Sequence, residues 1–224
     1  MERKDFLKKG LARLGVMVAL PTTIGSCSTD DTTGNCALSP TETKGPFPIK
    51  TPADLVRASI ISDRSGIALL ITITVVDRSK NCEPLPGVYV DIWHCDADGN
   101  YSEYGGTAMQ TTDYTNVHFL RGRQMTDADG KASFLSIYPG WYPGRAPHIH
   151  IEILSGSGNS LRVTQIAFPE ETSNEVYATT DYNGNADTSN TGDNVFNNSL
   201  DANMADSVTG NTTDGYTLLK TIVV

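Results

Sequence analysis

Gly140-Trp141-Tyr142-Pro143-Gly144-Arg145-Ala146-Pro147-His148-Ile149-His150 is a turn that runs into a strand, and the rest of the chain is read outward from it. His148 and His150 sit at i and i+2 in a β-branched run. Successive side chains of a strand point to opposite faces, so the two imidazoles share one face while Ile149 and Ile151 share the other. Two imidazoles side by side suit a metal ion better than a hydrophobic core. They are two of only four histidines in 224 residues.

β patterning dominates elsewhere. Residues 67–76 form a run of β-branched and aliphatic side chains, and Val88-Tyr89-Val90-Asp91-Ile92-Trp93 alternates, with Val88, Val90 and Ile92 on one face. Further strands are expected over residues 132–138, 148–154, 161–168 and 217–224. Gly/Asp clusters separate them, including two Asp-Ala-Asp-Gly turns at Asp96 and Asp127. Short strands at this spacing predict an all-β, two-sheet sandwich with long loops. Residues 172–215, rich in Asn, Asp, Thr and Gly, are expected to form a long surface loop region.

The length is that of one domain. Net charge is -9, and setting aside the first 26 residues, with five basic and two acidic side chains, leaves 12 basic against 24 acidic. Such a surface repels nucleic acid and anionic lipid, so neither is expected as a partner. Residues 1–26 read as an export signal: a charged start, a modestly apolar run from Leu11 to Leu20, then Ile24-Gly25-Ser26-Cys27. Small residues before a cysteine fit a lipoprotein cleavage site, which predicts an exported protein attached to a membrane through lipidated Cys27. Arg3-Lys4-Asp5-Phe6-Leu7-Lys8 resembles a twin-arginine signal, with Lys for the second Arg. Residues 27–35 read as a flexible tether and 36–224 as the folded domain. Of the other cysteines, Cys36 with Cys82 is the preferred disulfide, because Cys95 lies within a core motif.

Simpler metal readings are weak. An EF-hand loop needs a bidentate acid at position 12, where the two Asp-Ala-Asp-Gly stretches have Thr107 and Tyr138, so both read as hairpin turns. His94-Cys95-Asp96 and His150-Ile151-Glu152 fit the loose pattern of an iron(II) facial triad. No HExxH motif points to a zinc hydrolase. A stronger constellation adds Tyr101, after the strand and turn over residues 91–100, and Tyr142, before the histidine strand, with Arg145 three residues ahead of His148. Two phenolates and two imidazoles suit iron(III), whose charge would depress a phenol pKa normally about 10.

With these residues in place, the chain from about Cys36 to Val224 resembles the intradiol ring-cleavage dioxygenases, the family of catechol and protocatechuate dioxygenases, and within it an exported subgroup. The stretches that carry the likeness are Thr43-Lys44-Gly45-Pro46-Phe47, residues 86–94 through Tyr101, residues 142–150, and Thr164-Gln165-Ile166-Ala167-Phe168. The resemblance implies that Tyr101, Tyr142, His148 and His150 bind Fe(III), with Tyr142 and His150 axial. It implies that Arg145 and Gln165 face the substrate, and that Tyr142 leaves the metal to take a phenolic proton. The implied reaction cleaves a catechol with O2, between its two hydroxylated carbons, to a muconate-type diacid. Lys44 replaces an acid common in the family, and five residues between Tyr142 and His148 make a short spacer. Which catechol is cleaved and the oligomeric state stay open. The rival reading is a lipid-anchored, transthyretin-like binding module with a structural or vestigial metal site.

Overall fold

The computed structural model describes residues 36–224. The expected export signal, Cys27 and the tether lie outside the described residues. Among those described, no helix is long and apolar enough to cross a membrane.

Two sheets face each other. The first is centred on β1 (Ala68–Asp77), flanked by parallel β9 (Gly215–Val223) on one side and antiparallel β5 (Lys131–Ile137) on the other. Short β2 (Glu83–Pro84) pairs with the end of β1, and β8 (Ser207–Asn211) with β9. The second sheet is antiparallel throughout, in the order β4 (Arg121–Met125), β3 (Tyr89–Trp93), β6 (His148–Leu154), β7 (Ser160–Ala167). Alternation drives the packing. Leu69, Ile71, Ile73 and Val75 of β1 meet Val90, Ile92, Ile149, Ile151 and Ile153 of the second sheet in the main core. Burying each such side chain stabilises by about 1.5–3 kcal/mol, which pins the register of β6 and so the face its histidines occupy.

The all-β sandwich is as expected, and the strands read from the sequence fall within two residues of those observed. β4 was not expected: Arg-Gly-Arg-Gln-Met shows no apolar alternation. Its arginines are held by polar partners instead, Arg123 by Asp91 through two bonds of 2.6 and 2.7 Å, and buried Arg121 by Ser102 and the Phe47 carbonyl. The expectation of a surface loop over residues 172–215 needs correction. That segment contains most of α1 (Glu170–Tyr177), then α2 (Leu200–Asn203) and β8. Its polar composition hides interior roles: Asn190 Nδ2 donates to the Phe168 carbonyl and Asn203 Nδ2 to the Gln165 carbonyl, each at 2.8 Å.

Cys36 and Cys82 form the preferred disulfide, with Cα atoms 5.9 Å apart, and Cys95 is a free, buried thiol. Both Asp-Ala-Asp-Gly stretches are turns closed by a Gly N–H bonded back to the first Asp carbonyl.

Candidate metal centre

The outer face of the second sheet carries Trp93, His150 and Gln165, level with one another across paired strands, and His148 two residues further along β6, opposite Ala167. Among the described residues, no third sheet covers them. The segment around Phe47 and the loop containing Tyr101 do, joining Phe47, Trp93 and Tyr101 in a satellite apolar cluster. Gly45 is what lets the N-terminal segment approach: at φ +69°, it lies so close to His150 that a Cβ would fall 2.8 Å from the imidazole Cε1. The turn at Gly99 is equally constrained, since a Cβ there would meet the Trp141 carbonyl oxygen. This contact sets the Tyr101 loop directly against the Tyr142 loop.

Six residues singled out in the sequence converge here: Tyr101, Tyr142, Arg145, His148, His150 and Gln165. Nε2 of His148 lies 3.2 Å from Nε2 of His150, 3.4 Å from the Tyr101 phenol oxygen and 3.5 Å from that of Tyr142. A first-row metal ion with bonds of about 2.0–2.1 Å spans donor–donor edges of about 2.9–3.6 Å. The three distances from His148 Nε2 match such edges, so the residues present suit a shared cation. Nδ1 of His148 donates to the Ala146 carbonyl at 2.6 Å, which leaves the Nε2 lone pair free for a ligand role. His150 stacks on Trp93, with ring centres 5.0 Å apart and planes 3° from parallel. Its Nδ1 is buried, turned to the Thr43 backbone without regular hydrogen-bond geometry.

Burial decides the protonation of this cluster. It pushes the His148 pKa down to about 3, with the Arg145 charge adding to the effect, and holds His150 well below the usual range beside His148. Both rings are thus neutral donors. Burial also raises both phenols, Tyr101 strongly, while Arg145 partly offsets the rise at Tyr142. Phenols so placed would ionise only when bound to a Lewis acid.

Arg145 is held on three sides. Its Nε donates to Asp193 at 2.8 Å, Nη2 to Gln165 Oε1 at 2.6 Å, and Nη1 to the Tyr142 oxygen at 3.2 Å. Gln165 is anchored in turn by donating to the Thr43 carbonyl at 2.8 Å. Asp193, fully buried, also accepts from the Ala146 and Val195 backbone N–H groups. Sequence reading missed Asp193, along with Trp93 and Gly45 as supports. An Asp in a polar loop carries no periodic signal; the one available clue was an acid downstream of an arginine that needs a counter-charge.

Other candidates lie elsewhere. His94 is buried between the Cys95 carbonyl at 2.8 Å and Ser136 Oγ at 2.7 Å. Glu152 is paired with Lys44 at 2.6 Å. Neither facial-triad pattern therefore assembles, and among the described residues no three His, Cys, Asp or Glu side chains converge as a metal site. A cleft of about 390 Å³ opens above the cluster, lined by Thr43, Gly45, Pro46, Met109, Pro143 and Gly144, with Tyr142 and Arg145 where it meets the donors. Tyr142 is partly exposed there, whereas Tyr101 is sealed.

Comparison with known proteins shows the family. A family model described as Dioxygenase matches residues 46–181. An intradiol ring-cleavage dioxygenase from Tetranychus urticae superposes with a TM-score of 0.74 at 31% identity, over 84% of this chain and 94% of that one. The protocatechuate 3,4-dioxygenase beta chain of Burkholderia cepacia is 34% identical over 112 residues, 46% of each chain. Chlorocatechol 1,2-dioxygenase of Rhodococcus opacus is 29% identical over 126 residues, 48% of this chain and 46% of that one. The matches span about half the length of these curated relatives. The chain belongs to the intradiol ring-cleavage dioxygenase family.

Proposed function

We propose that this protein is a non-haem iron(III) dioxygenase that cleaves a catechol between its two hydroxylated carbons. Both atoms of O2 enter the product, a muconate-type diacid. The observation that carries the reading is the meeting of two phenol oxygens and two imidazole nitrogens, 3.2–3.5 Å apart around His148 Nε2, beneath Arg145 and at the base of a cleft.

Tyr101, Tyr142, His148 and His150 would hold the iron. When bound, ferric iron would supply Lewis acidity toward a catechol and so activate the organic substrate rather than O2. The chain's own residues divide the remaining work. Tyr101 and His150 are enclosed by Phe47 and Trp93, which fixes them and excludes water from that side. Tyr142 borders the cleft, and as the tyrosinate its oxygen would take the substrate proton, held in position by the Arg145 guanidinium 3.2 Å away. Arg145 then faces the oxygens and ring carbons on which negative charge develops, already oriented by Asp193 and Gln165.

An export signal with a lipidated Cys27 would place this reaction outside the cytoplasm. The sequence pattern at residues 1–27 supports that placement; mass spectrometry of the membrane fraction for a lipidated N-terminal cysteine tests it. The activity itself is tested by oxygen uptake with a panel of catechols on iron-loaded protein, with product mass spectrometry. Ring-opened diacids carrying two oxygen atoms from labelled O2 are expected. Coloured, iron-loaded protein that binds catechols without consuming O2 would favour the binding-module reading.

A further inference from the structure

The charges around the cleft point to which catechols enter it, a step that rests on the ring-cleavage reading above. Arg145 is the one charged side chain among those lining the cleft, and it is already spoken for. Its Nε pairs with buried Asp193 at 2.8 Å, its Nη2 with Gln165 at 2.6 Å, and its Nη1 turns inward to Tyr142 at 3.2 Å. The two lysines near the N-terminal wall are likewise engaged. Lys44, between lining residues Thr43 and Gly45, turns to Glu152 at 2.6 Å. Lys50 donates to the Glu103 carbonyl at 2.6 Å and lies over the Tyr104 ring.

The rim adds charge of the opposite sign. The Gly144 N–H donates to Oδ1 of exposed Asp187 at 3.1 Å, which puts a carboxylate beside the cleft mouth. Beside Thr43, the rim is apolar at Pro46, Pro143 and the thioether of Met109, 65% exposed. A ring substituent leaving the cleft thus meets proline rings, a polarisable sulfur and a carboxylate, while Arg145, Lys44 and Lys50 are each paired.

We infer that the site selects catechols whose ring substituent is uncharged or cationic, apolar substituents packing against Met109, and that it turns away catechols bearing a carboxylate. An anion brought to this rim loses water, finds the nearest cations already paired and faces Asp187. The unmet desolvation of one carboxylate corresponds to a factor of about 10 to 100.

The test uses iron-loaded full-length protein and four compounds: catechol, 4-methylcatechol, 4-(2-aminoethyl)catechol and 3,4-dihydroxybenzoate. Oxygen uptake is expected to give a kcat/KM about 10- to 100-fold higher for 4-methylcatechol than for 3,4-dihydroxybenzoate. The amine is expected to rank with the neutral compounds. Asp187→Lys should narrow the 4-methylcatechol to 3,4-dihydroxybenzoate ratio about ten-fold, because the rim charge reverses sign. Equal or better use of 3,4-dihydroxybenzoate, or a ratio unmoved by Asp187→Lys, overturns the inference. Dissociation constants for the same compounds, read from the visible iron–tyrosinate band, supply the charge ratio independently of turnover. Binding that discriminates by charge without O2 consumption would therefore sink the ring-cleavage reading while upholding this one.

Discussion

Replacing Gly45 by alanine should loosen the metal centre through a single methyl group. At φ +69°, an L side chain costs about 1–2 kcal/mol of backbone strain. The added Cβ would stand 2.8 Å from Cε1 and 3.0 Å from Nε2 of His150. Relaxed carbon contacts need about 3.5–4.0 Å, so the ring must yield by about 0.5–1 Å. It has little freedom to do so, because it is buried and stacked on Trp93. Overpacking of this kind adds about 1–3 kcal/mol. The total, about 2–5 kcal/mol, corresponds to a fall in Tm of about 5–15 °C for a domain of this size. Displacing the ring should also weaken iron retention about 10- to 100-fold. Gly144→Ala is the control: its φ is +83°, yet nothing lies within 4 Å of the added Cβ. Calorimetry of iron-free protein and iron analysis after dialysis against a chelator read the two effects. If Gly45→Ala matches Gly144→Ala in both, the claim that Gly45 confines His150 is wrong.

Further outcomes are expected. Tyr101→Phe should weaken iron binding and shift or bleach the visible band, and unchanged iron content and colour would remove it from the ligand set. Arg145→Ala and Asp193→Asn should each lower kcat by about 10²–10³ with iron still bound. If Asp193 acts by aiming Arg145, the double variant should be within about three-fold of Arg145→Ala alone; multiplied losses would show that it acts independently. His94 is buried and its pKa is depressed from 6.5 to about 4, so the folded state binds fewer protons than the unfolded one in that window. Its stabilising contribution is complete above pH 6.5 and is lost as pH falls toward 4, about 3 kcal/mol in all. His94→Leu should flatten this part of the stability–pH curve by up to one proton, and an unaltered slope relative to the parent would refute the assignment.

The sandwich was legible because period-two alternation is a local property of strands. β1, β3, β5, β6 and β9 show it, and none of these needs distant information to be recognised. β4 was not legible, because Arg121 and Arg123 satisfy a buried position with hydrogen bonds and ion pairs rather than with apolar surface. The 172–215 segment misled for the same reason, its Asn190, Asp193 and Asn203 being interior residues of polar type. In the candidate site, the histidine pair was plain, the two tyrosines and Arg145 were found by chemistry and resemblance, and Asp193 escaped both.

Residue order alone was enough to place His148 and His150 on one face of one strand, since two residues of extended chain return a side chain to the same side. It also determined that this face would be separate from the isoleucine face that fills the core. Only the folded chain could decide that Tyr101, 47 residues before His148, and Asp193, 48 residues after Arg145, would arrive at the same place. Those meetings depend on loops closing across two sheets, on a glycine thin enough to let a segment touch an imidazole, and on burial that strips water from every donor. Such effects belong to three-dimensional proximity, and no spacing along the sequence encodes them.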